Sequence, residues 1–205
     1  MHAFTRRTTR TSTLVGAAVA AGLLLSACGS DPSGTSASAS GSPSATAAAP
    51  GAFNDADVMF AQMMIPHHEQ ALEMAKLAEG RAQDPEVKKL VTAIEQAQDP
   101  EIQKMRAWLK GWGKPESAGH GGSGGGHGMA GMMSDQDMKD LAAAKGRDFD
   151  RTFAELMIAH HDGAVAMAKD EQKNGRNVMA KSLADDVVRS QSAEVTALRK
   201  ILDRL

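Results

Sequence analysis

Met63-Met64-Ile65-Pro66-His67-His68-Glu69, read on through Ala71, Met74, Ala75 and Lys76, returns as Leu156-Met157-Ile158-Ala159-His160-His161-Asp162 with Ala164, Met167, Ala168 and Lys169. The offset holds without a gap from Asp57/Asp150 through Phe60/Phe153 to Lys76/Lys169. Further on it aligns Gln98 with Gln191, Glu101 with Glu194, Ile102 with Val195 and Leu109 with Leu202. One unit is used twice, and each copy carries a His-His pair flanked by methionines.

At about 100° per residue, Phe60, Met63, Met64, His67, Ala71 and Met74 gather on one helical face, with His68 at its edge one turn after Met64. Phe153, Leu156, Met157, His160, His161, Ala164 and Met167 repeat the pattern. The first helix is expected from Asp55 to Glu79, closed by Gly80, with Asn54 or Asp55 as its cap and a kink at Pro66. Asp84-Pro85-Glu86 opens a second helix whose apolar stripe includes Val87, Val91, Ile94, Ile102, Met105 and Leu109, with Gln98 as its polar member. Pro100 does not end it, since its counterpart Ala193 lies inside an uninterrupted helical pattern. Ser134 caps a short helix over 135–145, ended by Gly146. A third long helix spans 148–174, and a fourth runs from Asn177 to the last residue. Four long helices in two hairpins predict an all-α four-helix bundle built from duplicated hairpins. The absence of tyrosine, an aromatic content of 3% and an abundance of Ala and Met agree with that class.

The formal net charge of −2 gives no nucleic-acid footprint. Arg6, Arg7 and Arg10 precede the apolar run Leu14–Leu25, which is short for a membrane span. Leu25-Ser26-Ala27-Cys28 reads as a lipobox, so residues 1–27 form a lipoprotein signal peptide and Cys28 carries the lipid. An ordinary signal peptide with an incidental cysteine is the plainer alternative. Cys28 is the only cysteine, so the rest of the chain has no thiolate to offer a metal. Residues 28–53, rich in Ser, Ala, Thr, Gly and Pro, form a flexible tether. The bundle then occupies 54–205, with repeat one at 54–115, a Gly/His/Met-rich linker at 116–133 and repeat two at 134–205.

Two imidazoles and two thioethers per unit define the chemistry: Met64, His67, His68 and Met74 in the first, Met157, His160, His161 and Met167 in the second. Thioether favours Cu(I), while imidazole serves both copper states. Zinc would more usually recruit thiolate or carboxylate with histidine. The competing interpretation makes the methionines core filler and satisfies the histidines by hydrogen bonds to the facing helix, at Gln98 and Gln191. The linker residues His120, His127, Met129, Met132 and Met133 form either an accessory copper-collecting arm or an incidental feature of a spacer. A di-iron carboxylate enzyme would need Glu-x-x-His pairs. No Glu or Asp stands three residues before any of the four histidines. No nucleophile–histidine pairing or phosphate loop is present either, and an enzyme is not expected.

These motifs, namely Phe60…Met64-Ile65-Pro66-His67-His68…Ala71…Met74-Ala75, its second copy from Phe149-Asp150 to Met167-Ala168, and Gln98…Glu101-Ile102…Met105…Trp108-Leu109…Trp112-Gly113, resemble the bacterial family named domain of unknown function 305. The resemblance covers about Asn54 to Leu205 and implies a secreted or lipid-anchored bundle of ferritin-like topology. It associates some members with copper binding and copper tolerance in the cell envelope. Ala159 in place of the proline, and Ile201 in place of Trp108, depart from the first copy and set the equality of the two units in question. The expectation is a lipid-anchored, extracytoplasmic copper protein that buffers the metal or exchanges it with a donor or acceptor protein. A non-metal envelope bundle with structural His-His seams, or with a small-ligand or partner-binding role, is the alternative.

Overall fold

A computed structural model describes residues 51–117 and 130–205. They form five helices: α1 (Asp55–Leu77), α2 (Pro85–Gly111), α3 (Asp135–Ala143), α4 (Gly146–Asn174) and α5 (Val178–Leu202). Asn54 caps α1 by accepting from the amides of Ala56 and Asp57, while Asp57 returns a bond to the Asn54 amide at 2.6 Å. Asp84, Ser134 and Asn177 cap α2, α3 and α5 in the same way. Pro100 lies inside α2 and Pro66 inside α1, and neither ends its helix. Helices α1 and α3 end two residues earlier than expected, at Leu77 and Ala143. Gly146 begins α4 rather than ending α3, at a φ of 60°, because its amide turns to the Arg81 carbonyl at 2.8 Å.

Helix α1 packs on α2 and α4 on α5, each hairpin formed by one sequence repeat, and α1 lies along α4. The repeats clasp one another reciprocally. Asp57 of α1 accepts from the amides of Arg176 and Asn177 at the start of α5. Asp150 of α4 accepts from those of Gln83 and Asp84 at the start of α2. These are equivalent residues under the sequence offset, so the hairpins are related by a pseudo-two-fold axis. Outside, the ion pairs Glu69–Arg106 and Asp162–Arg199 obey the same relation.

The core divides into two apolar clusters. One contains Phe60, Met64, Met105, Trp108, Ala164, Ala168 and Leu183, and the other Ala71, Met74, Ala75, Ile94, Phe149, Phe153, Met157 and Leu198. Each draws on both repeats. Trp108 and Trp112 are buried, and Trp112 stacks on Phe53 at 4.9 Å. Among the described residues no helix is long and apolar enough to cross a membrane. The lipobox, residues 28–50 of the expected tether and the linker residues His120, His127 and Met129 lie outside the described residues, while Phe53, expected in the tether, stacks on Trp112.

Candidate metal centre

The helical period places His67 on the inner face of α1 and His160 on the inner face of α4, at equivalent positions of the two repeats. Their rings meet across the pseudo-two-fold axis with centroids 3.8 Å apart and planes inclined at 42°. His68 and His161 flank them, and all four are essentially inaccessible. A layer of four imidazoles therefore crosses the bundle between the two apolar clusters.

The hydrogen bonds decide what this layer offers. His68 Nε2 lies 2.8 Å from Glu101 Oε2, and His161 Nε2 lies 2.6 Å from Glu194 Oε2. His67 Nε2 lies 3.2 Å from the Ala130 carbonyl. Carboxylate and carbonyl oxygens only accept, so each Nε2 carries a proton and donates it. In the neutral ring the lone pair then sits on Nδ1. The Nδ1 atoms of His67, His68 and His161 are buried with no partner, and His160 lacks one at both nitrogens. Buried polar atoms ordinarily find partners, so this orphaned set is unusual. A ring held at one nitrogen by a carboxylate or carbonyl, with the other bare, is the usual arrangement of a metal-ligating histidine.

Burial, reinforced by the neighbouring rings, lowers the pKa of His67 from 6.5 to about 4 and that of His160 to about 2. Both stay unprotonated through neutral and mildly acidic solution, as a ligand must be. The Gln98 and Gln191 alternative fails. Both amide oxygens are unpartnered, and the glutamates one turn further along the same helices take the imidazole protons. The sequence reading aligned Glu101 with Glu194 but gave them no role. The signal that identifies them is the identical spacing to His68 and His161 in both copies.

The methionines are distributed differently from the histidines. Met64 and Met157 are fully buried, each one turn before the second histidine of its own pair. Met64 shares a cluster with Met167 of the other repeat, and Met157 shares one with Met74. The two methionines of one repeat therefore lie on opposite sides of the histidine layer. Seven residues separate Met74 from His67, a rise of about 10 Å along α1, so those two do not share one ion. Among the described residues no group of three or more His, Cys, Asp or Glu is arranged to hold a metal. Any ion here relies on few imidazoles or on thioether sulfur.

The returning linker closes the layer from outside. Gly131, at φ 83°, approaches the Ala159 carbonyl so closely that a Cβ would lie 2.8 Å from it, and a Cβ on Gly163 would overlap the Ala130 carbonyl. Gln70, the residue equivalent to Gly163, grips the Met133 backbone through both its amide groups, at 2.9 and 2.7 Å. Met133 packs against the second cluster, and Met132 is half-buried beside it.

Fold and site together define a duplicated four-helix bundle with an axial histidine layer. The chain belongs to the DUF305 family, Domain of unknown function (DUF305), whose model matches residues 57–202. It is similar to a DUF305 protein of Streptomyces coelicolor at 34% identity and a TM-score of 0.68, covering 73% of this chain and 93% of that one. It is similar to CopM in its Cu(II)-bound form at 38% identity and a TM-score of 0.63, covering 72% and 96% respectively. A DUF305 fragment from Deinococcus radiodurans matches at 31% identity and a TM-score of 0.64, covering 74% and 98%. CopM also matches in Cu(I)-bound and Ag-bound forms. No curated protein matches the chain.

Proposed function

We propose that this protein binds copper at the axial histidine layer and buffers it, or passes it on, outside the cytoplasm. The observation that carries this reading is the set of buried, unpartnered imidazole nitrogens whose rings are oriented by Glu101, Glu194 and the Ala130 carbonyl. Such nitrogens, each with a lone pair turned inward, are suited to a soft or borderline cation. At most two of His67, His68, His160 and His161 would hold one ion, with Met64 and Met157 as the thioethers nearest along each helix, and Met74 and Met167 farther out. The lack of any cysteine in the bundle and the thioethers along both helices favour copper over zinc or iron, and sulfur favours Cu(I). The likeness to CopM, solved with Cu(I), Cu(II) and silver, supports the choice of metal. Lipid attachment at Cys28, an extracytoplasmic location and the absence of an enzymatic step complete the proposal. The Streptomyces relative is classed as secreted, which supports the location. Linker residues His120, His127, Met129, Met132 and Met133 would add capacity.

Anaerobic competition titration of the Asn54–Leu205 region with Cu(I) tests the site. Saturable binding is expected, and joint replacement of the four histidines by Ala should abolish it. Full affinity in that variant overturns the assignment. Cys28→Ala should release the protein from the membrane fraction, and unchanged association would reject the anchor.

A further inference from the structure

A groove of about 290 Å³ opens between the first half of α1 and the last half of α4, lined by Ala56, Met59, Phe60, Met63, Ala166, Met167, Asp170 and Glu171. Three of its walls are thioethers, contributed by two helices and both repeats. Met59 is 57% exposed, one of three large apolar side chains so exposed among the described residues. The same groove contains Glu171, only 1% exposed, with no hydrogen-bond donor for either carboxyl oxygen. The nearby Lys181 amine donates instead to the Gly175 carbonyl, at 3.4 Å. Burial, with Asp57 beside it, holds Glu171 in its protonated, uncharged form, so the three sulfurs are the metal ligands that this groove offers.

The duplication supplies an internal control. The residues equivalent to Met59, Met63 and Glu171 are Thr152, Leu156 and Ala78. The bundle therefore closes the corresponding seam with a hydroxyl, a branched aliphatic and a methyl. Packing alone requires neither sulfur nor carboxyl at these positions. Ordinary core methionine fills gaps out of solvent, whereas Met59 stands in it.

We propose that Met59, Met63 and Met167 form a second site, for a soft monovalent metal ion, beside the buried carboxyl of Glu171. Thioethers hold Cu(I) and Ag(I) and contribute little to harder divalent ions. The site uses none of the four histidines and does not depend on their binding copper. It is open to solvent at Met59, whereas the four histidines are buried.

The test is titration of the full chain, labelled with methyl-¹³C methionine, with Ag(I) as a redox-inert probe. Single Met→Leu substitutions assign the Met59, Met63 and Met167 resonances. The expected result is saturable shifts of all three methyls, and their persistence in a His67→Ala/His160→Ala variant. The double variant Met59→Thr/Met63→Leu, which copies the second repeat, should keep helicity and melting and bind one Ag(I) fewer. Methyls that do not move in the parent protein overturn the proposal whatever the variants do. Shifts that vanish with the two histidines also overturn it, by assigning those methyls to the histidine centre. Shifts that persist without His67 and His160 uphold the groove even where the histidine assignment fails.

Discussion

Acidification perturbs two sets of buried groups in opposite directions, and a single substitution separates them. Folded His67 and His160 have pKa values lowered from 6.5 to about 4 and about 2, chiefly by burial. Below 6.5 the unfolded chain takes up protons that these folded rings refuse, so their contribution is complete above that pH and is lost as pH falls. Between about pH 7.5 and about pH 4.5, at roughly 1 kcal/mol per pKa unit, each ring forfeits roughly 2–3 kcal/mol. Glu171 works the other way. Burial raises its pKa from 4.5 to about 8, with Asp57 adding to the effect. Its contribution is complete below the unfolded value and is lost as pH rises toward the folded one, so the same acidification restores roughly 3–4 kcal/mol. Asp84, lowered from 3.8 to about 2 mainly by Arg204, begins to lose stability only below this interval. The metal-free wild type should therefore lose little over the interval, whereas Glu171→Gln should lose several kcal/mol, roughly 5, from a higher starting point. Urea unfolding at a series of pH values, fitted with a common slope, reads both. A Glu171→Gln protein whose stability is flat from neutral to mildly acidic pH would refute the assignment of buried, neutral imidazoles.

Glu101→Gln with Glu194→Gln should leave the helical content intact but weaken copper binding by about 10–100-fold, because the rings lose the carboxylates that orient them; competition titration measures it, and unchanged affinity would show the carboxylates to be bystanders. Gly163→Ala should destabilise the protein by about 1–3 kcal/mol, because the added methyl meets the Ala130 backbone rather than a flexible side-chain end. Thermal melting reads that loss, and an unaffected melt would mean that the strap moves freely. Changing Met64, Met74, Met157 and Met167 to Leu should preserve the fold, at under about 1.5 kcal/mol per site, and weaken Cu(I) binding more than Cu(II) binding. Equal Cu(I) affinity in parent and variant would make these methionines core filler.

The helices and the histidine pairs were legible in the sequence because their determinants are local. Asn54, Asp84, Ser134 and Asn177 cap within a few residues of themselves, and the duplicated period exposed the inner faces. What was not legible depends on chain brought in from far away. Glu101 and Glu194 reach the histidines only once α2 and α5 fold back at a particular height. Placing two imidazoles and two thioethers at one seam per repeat followed from reading each unit alone. The fold instead sets His67 against His160 and divides the methionines of each repeat between two clusters. Gly146 was read as an ending because glycine commonly follows a helix, and its bond to Arg81 is invisible without the tertiary contact.

The departures from two-fold symmetry follow a physical logic. An axis passing between His67 and His160 makes the two rings equivalent, but the linker returns across one side of it only. The residues flanking that crossing must then differ between the copies. Gln70 grips the strap, and its equivalent Gly163 yields space to it. His67 acquires the Ala130 carbonyl as acceptor, while His160, directly opposite, acquires nothing. Burial is the largest cause of the lowered pKa in both rings, and the bond to Ala130 offsets part of it at His67. That bond also commits His67 to one tautomer and leaves His160 free to present either nitrogen. An ion reaching the layer therefore meets one fixed ligand and one adaptable ligand rather than a symmetric pair. The inequality of the two repeats originates in the linker as much as in Ala159 or Ile201.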